Sequence, residues 1–172
     1  MPNYGFGAQN DNAVHMNTSA TSSNASNQAI HMNIGVVAGQ ETLKNSEQIG
    51  TLIIPSGANI GVYSGESMLS MDKGAGHFSN TGLNNGNTAL IGHNRGRSNG
   101  YFVFVKDLQI GEKLTLEAND ITKTYVVSQT HKVHATQTEL LMQFGDSRLT
   151  LVTCWEGEKD YRRVVIAIES AE

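Results

Sequence analysis

From Ser46 onward the chain is a succession of short β-type segments cut apart by Gly, Asn, Asp and Pro, and no other feature restricts its fold as much. IGTLIIP (49–55) stops at Pro55, which cannot donate to a sheet ladder. ANIGVYSG (58–65), GNTALIGH (86–93) and the aromatic, β-branched GYFVFVKDL (100–108) follow. EKLTLEA (112–118) and ITKTYVVSQTHKV (121–133) flank Asn119-Asp120, a hairpin turn signal. RLTLVTC (148–154) and YRRVVIAIE (161–169) close the series. This spacing predicts about eight strands in an all-β barrel or sandwich. One or two short helices interrupt them. TQTELLMQFG (136–145) carries a capping box of Thr136 and Glu139, an apolar face of Leu140, Leu141 and Phe144, and Gly145 at its C-cap. ESMLSMD (66–72) is expected to form a single helical turn.

The first 45 residues have a different texture. Asn, Ser, Ala and Gly dominate, and Asp11 is the only charge before residue 41. Such a segment buries too little apolar surface to offset its ordering entropy, so 1–45 is expected to be a flexible polar arm. The domain is expected over 46–172, long enough for a core of its own. A net charge of −4 without a basic patch argues against nucleic acid as a partner. One cysteine excludes an internal disulfide and a Cys-based zinc cluster. No stretch approaches the ~20 apolar residues of a membrane span. The chain therefore reads as a soluble piece whose anchor, if it has one, lies outside it.

That single cysteine, Cys154, ends an apolar run at the mouth of a loop. A lone buried cysteine is more often an inert small hydrophobe than a nucleophile, and a reactive one needs a base or cation beside it. His93 has the same placement, ending TALIGH and opening NRGRSNG. Arg162 shares a strand face with Val164, Ile166 and Ile168, a costly position for a charge without a partner or a task. Arg163 shares the other face, read here as solvent-exposed. Asn94 follows His93, but sequence neighbours on a strand end do not face each other. His131 and His134 read as surface residues.

LTLVTC (149–154) resembles the sortase motif, in which threonine, leucine, any residue and threonine precede cysteine; Thr150, Leu151, Val152, Thr153 and Cys154 match it. The upstream IGH, the downstream arginine opening an apolar strand, and GAGHFSNTGLNNGNTALIGHNRG (74–96) complete the pattern. Class D is the nearest likeness and class C the second. The Asp-Pro-aromatic lid of class C is absent from this sequence.

The resemblance implies a sortase-like closed barrel with Cys154 as nucleophile and His93 as general acid and base. Its arginine would bind substrate and hold the oxyanion. In the family an alanine often stands five positions after that arginine, and Ala167 fits Arg162 where Arg163 is one short. Thr153, His77 and Trp155 fall on the implied substrate groove, with two alternatives open: His77 as a turn brace and Trp155 as simple packing. The implied substrate is a Leu-Pro-x-Thr-Gly-type sorting peptide, and the acceptor an amine of a peptidoglycan precursor or a pilin lysine. The implied setting is the outer face of a Gram-positive membrane, with the protein as a monomer. No cofactor is expected. Some sortases bind calcium, but Glu66, Asp72 and Glu139 form no recognisable ligand string. A hydrolytic cysteine peptidase and a non-enzymatic β-barrel surface module with an inert thiol are the alternatives.

Overall fold

The computed structural model describes residues 47–96 and 98–171. The arm expected at 1–45 lies outside them. Eight strands form a closed barrel: β1 (Gln48–Ile53), β2 (Asn59–Ser64), β3 (Ala75–His77), β4 (Asn87–Ile91), β5 (Lys113–Ala118), β6 (Ile121–His134), β7 (Arg148–Trp155) and β8 (Glu158–Glu169). Around the barrel they run β1-β2-β3-β4-β7-β8-β6-β5. The β2–β3 and β4–β7 pairs are parallel and the other pairs antiparallel. Closure removes every sheet edge, so none of the short strands is left as a template for aggregation. Asn119 and Asp120 form the expected two-residue hairpin turn, both at positive φ, with Ala118 paired to Ile121. Asn and Asp tolerate that conformation because their short polar side chains bond locally.

Side-chain alternation sorts the core into two parts. Leu52, Val62, Leu90, Leu114, Leu149, Leu151, Val165 and others fill the barrel interior. Ala89, Ile91, Val152, Val164 and Ile166 face outward from β4, β7 and β8. They are covered by Met71 of α1 (Met68–Lys73), Phe78 and Leu141. Each such side chain, fully buried, contributes roughly 1.5–3 kcal/mol. Strands β7 and β8 are therefore buried on both faces. The Arg163 face is not solvent-exposed as expected: Val165 and Ala167 are interior residues. Two apolar faces leave alternation nothing to distinguish.

Two elements differ from the sequence reading. Residues 100–108 are not a strand; Val103–Lys106 is a 3-10 turn that packs Phe102 and Val105 into the interior. The eighth strand is instead β3, three residues of which two are Ala and Gly. The helix expected at 136–145 contracts to a 3-10 turn at Glu139–Leu141, whose N-cap position is Thr138. The capping box does not form, because Thr136 Oγ1 bonds His134 Nδ1 instead. The turn at 66–72 forms as α1, with Ser67 accepting the Ser70 N–H as N-cap.

Candidate active site

The parallel β4–β7 pair sets Ile91 beside Val152, and the antiparallel β7–β8 pair sets Val152 beside Val164 and Cys154 beside Arg162. Paired residues point to the same side of a sheet. Cys154 and Arg162 therefore emerge together on the outward face, at the end of the strip made by Ile91, Val152 and Val164. His93 lies two residues beyond Ile91, where β4 has ended.

The segment around His93 is tied to β7 on both sides. Gly92 N–H donates to Val152 O at 3.1 Å, and Thr153 Oγ1 donates to Gly92 O at 2.8 Å. Asn94 Nδ2 donates to Cys154 O at 3.2 Å and to Glu156 Oε1 at 2.7 Å. Phe102 N–H donates to His93 O, and a Cβ on Gly92 would come within 2.5 Å of the Phe102 ring. Only glycine permits that approach.

Beyond Cys154 the register breaks: Trp155 pairs with Glu158, so β8 residues 159–161 have no partner in β7. This irregularity aims Arg162. Nη1 of Arg162 donates to Lys159 O and Tyr161 O, both at 2.8 Å, and the residue is only 6% exposed. Its Nε is buried without a hydrogen-bond partner among the described residues. Two carbonyls orient a buried guanidinium without neutralising it, so its charge stays available to an anion. Arg163 is differently placed. It pairs with Thr153, stacks 4.0 Å from the Trp155 ring and forms an ion pair with Glu156 at 3.2 Å.

His93 is buried, with Nε2 3.2 Å from Asp72 Oδ1. That nitrogen is shut off from solvent, and the approach is an ion-pair contact rather than an aligned hydrogen bond. Burial, and then the nearby Arg95 cation, push the His93 pKa below the ordinary histidine value, while Asp72 pulls the other way. The neutral imidazole is thus the resting form at neutral pH. The Asn94 hydrogen bond, with Arg163 adding to it, holds the Glu156 carboxyl below the usual range.

Of the residues singled out in the sequence, the structure brings His93, Cys154 and Arg162 to one face. Thr153 lies alongside, on the interior side, with its hydroxyl on Gly92. Trp155 flanks them under Arg163 and 4.9 Å from Lys132 Nζ. His77 is not among them: it pairs with Leu90 on the interior side, and its Nε2 donates to Gly82 O at 2.9 Å. Burial pushes its pKa down. The sequence reading sets Asn94 aside as a partner of His93, and the structure turns it to Cys154 O and Glu156; that role, Glu156 and the Asp72 contact with His93 were missed in the sequence. Asn94 meets its partners 60 or more positions away and Asp72 meets His93 21 away, so no local pattern marks them. The calcium candidates stand apart, with Glu66 accepting from Ser79 and Asp72 from Arg95 and Asn99. Among the described residues no three His, Cys, Asp or Glu side chains converge on a metal position. An open depression of about 650 Å³ is lined by β1 and the β5–β6 turn, across the barrel order from Cys154.

The lowered pKa values of His77 and His93 carry a stability consequence. Below the ordinary 6.5 the unfolded chain binds these protons more readily than the folded one. Their contribution is therefore complete above that value and lost as pH falls through the folded values. Thermal melts are expected to show a Tm that declines from about pH 7 to about pH 5, before the carboxylates titrate. A flat or rising Tm over that window would contradict the assignment.

The sortase domain family model matches residues 52–170, from the last two residues of β1 to just past the end of β8. The chain is 27% identical over 128 residues to a sortase A of Bacillus anthracis, covering 73% of this chain and 61% of that protein. It is 24% identical over 132 residues to a sortase A of Listeria monocytogenes, covering 76% and 60%. The chain thus spans about three fifths of the length of these curated relatives. A solved sortase C1 of GBS pilus island 1 superposes with a TM-score of 0.67 at 26% identity, covering 73% of this chain and 67% of that one. These relatives carry class A and class C names, and they do not carry the class D placement expected from the sequence. With a family model spanning the chain from the end of β1 through β8, and the motif's cysteine and arginine paired across β7 and β8, the chain belongs to the sortase family.

Proposed function

We propose that the protein is a cysteine transpeptidase acting on a Leu-Pro-x-Thr-Gly-type sorting peptide. The observation that carries this reading is the register placing Cys154 opposite Arg162 on the face where β4 delivers His93. The Cys154 sulfur attacks the threonine carbonyl carbon, and its proton passes to neutral His93. A C–S bond forms, and the carbonyl oxygen becomes an oxyanion facing the Arg162 guanidinium. The intermediate collapses as the Thr–Gly bond breaks, and the His93 imidazolium protonates the departing glycine amine. This leaves a thioester on Cys154. An acceptor amine attacks it and gives its proton to His93, the C–S bond breaks to release the new amide, and the Cys154 thiolate takes the proton back from His93.

Thr153 positions the Gly92 carbonyl in this reading, and Trp155 walls the groove. The acceptor is an amine of a peptidoglycan precursor or a pilin lysine. The reaction needs no cofactor beyond these side chains. The enzyme acts as a monomer at the outer face of a Gram-positive membrane. No described helix is long and apolar enough to cross a membrane.

The test is a ligation assay with a Leu-Pro-x-Thr-Gly peptide library and an amine acceptor, read by mass spectrometry. Amine-ligated product is expected, and its sequence identifies the motif. Hydrolysed peptide without ligation would make the protein a peptidase. Unchanged peptide with every motif would sink the reading.

A further inference from the structure

We infer that Asp72 is a positioning residue for His93: its Oδ1 holds ring Nε2 in the N–H form and leaves Nδ1 as the nitrogen that exchanges protons. This rests on the proton-transfer role proposed for His93. Asp72 sits in the last turn of α1, and its neighbour Met71 is fully buried in the outer core cluster. Ser67 caps that helix, and Ser70 Oγ donates to Ser64 O at 2.9 Å. The helix that carries Asp72 is thus fixed by packing and capping.

One oxygen of that carboxylate meets three groups from the segment after β4. Oδ1 lies 3.2 Å from His93 Nε2, 3.3 Å from Arg95 Nη2 and 2.6 Å from Asn99 Nδ2. Arg95 and Asn99 can only donate there, so they fix Oδ1 as the acceptor. The contact is electrostatic and not an aligned hydrogen bond, yet at 3.2 Å a ring nitrogen is repelled by the carboxylate oxygen if it presents a lone pair and attracted if it presents N–H. The neutral ring therefore carries its hydrogen on Nε2, and Nδ1 keeps the lone pair. The charged groups facing the ring are Asp72 from α1 and Arg95 from its own loop, and Cys154 and Arg162 emerge as a pair from β7 and β8 on the same face. Asp72 is the anion set against Arg95 at the ring. It favours the imidazolium that forms when His93 takes a proton.

Long-range ¹H–¹⁵N NMR of histidine-labelled protein without substrate tests this. Spectra of the neutral His93 ring are expected to show hydrogen on Nε2. Asp72→Asn keeps an oxygen acceptor, so the tautomer should persist while the titration midpoint falls. Asp72→Ala should give mixed tautomers, a lower midpoint and roughly tenfold slower turnover at little change in KM. Backbone amide spectra check that both variants fold, and the Asp72→Asn midpoint decides if the alanine variant does not. Hydrogen on Nδ1 in the unmodified protein, or an Asp72→Asn midpoint equal to the parent's, would overturn the inference. The tautomer is read without turnover. A protein with the expected tautomer that ligates nothing would therefore refute the transpeptidase reading and leave the Asp72 contact standing.

Discussion

Cys154→Ala is expected to abolish amine ligation, by at least about a thousandfold, with no replacement nucleophile in reach. The hydroxyl next to it in the chain, that of Thr153, is committed to Gly92 O. The fold should barely notice. Cys154 is half-buried, and losing one sulfur there costs about 1 kcal/mol or less. A thermal melt beside the ligation assay separates the two effects. Ligation surviving in the alanine variant would remove Cys154 from the mechanism, whatever the motif around it.

Arg162→Ala is expected to lower kcat roughly 10²–10³-fold, the usual loss when an oxyanion donor is removed. Unlike the cysteine change, it should also destabilise. The carbonyls of Lys159 and Tyr161 lose their donors, at about 1–3 kcal/mol, and the bulge that aims the side chain loosens. Arg162→Lys restores charge but not the planar fork, so activity should recover only in part. Arg163→Ala is the control. It loses the Trp155 stack and the Glu156 ion pair, both beside the site, and less than tenfold in rate. Steady-state kinetics on the three variants decide between the arginines. A larger loss in Arg163→Ala would exchange their roles.

How far the sequence can be read depends on how local each determinant is. The Asn119-Asp120 hairpin was legible because a two-residue turn needs residues that tolerate positive φ, and these two do. Arg162 was legible as an arginine on an apolar face, and the Cys154–Arg162 register gives that oddity a location. Strand β3 was not legible, since Ala75-Gly76-His77 has no periodicity and is held by its neighbours β2 and β4. Residues 103–106 misled because aromatic and β-branched residues favour strands, while here they cap the barrel interior. The 136–145 helix had its capping residues, yet His134 took the Thr136 hydroxyl first. Around the site, Asp72 and Glu156 look like ordinary surface carboxylates in sequence. Closing the barrel is what brings them to His93 and Asn94.

The most direct test of the central claim is the mass of the protein itself. The unmodified chain is mixed with a cognate sorting peptide without an amine acceptor, quenched in acid, and mapped by proteolysis. The account predicts a covalent acyl adduct, the peptide up to its threonine, on the fragment carrying Cys154 as a hydroxylamine-labile thioester. Peptide cleavage with no adduct on Cys154, or an adduct on another residue, would contradict it.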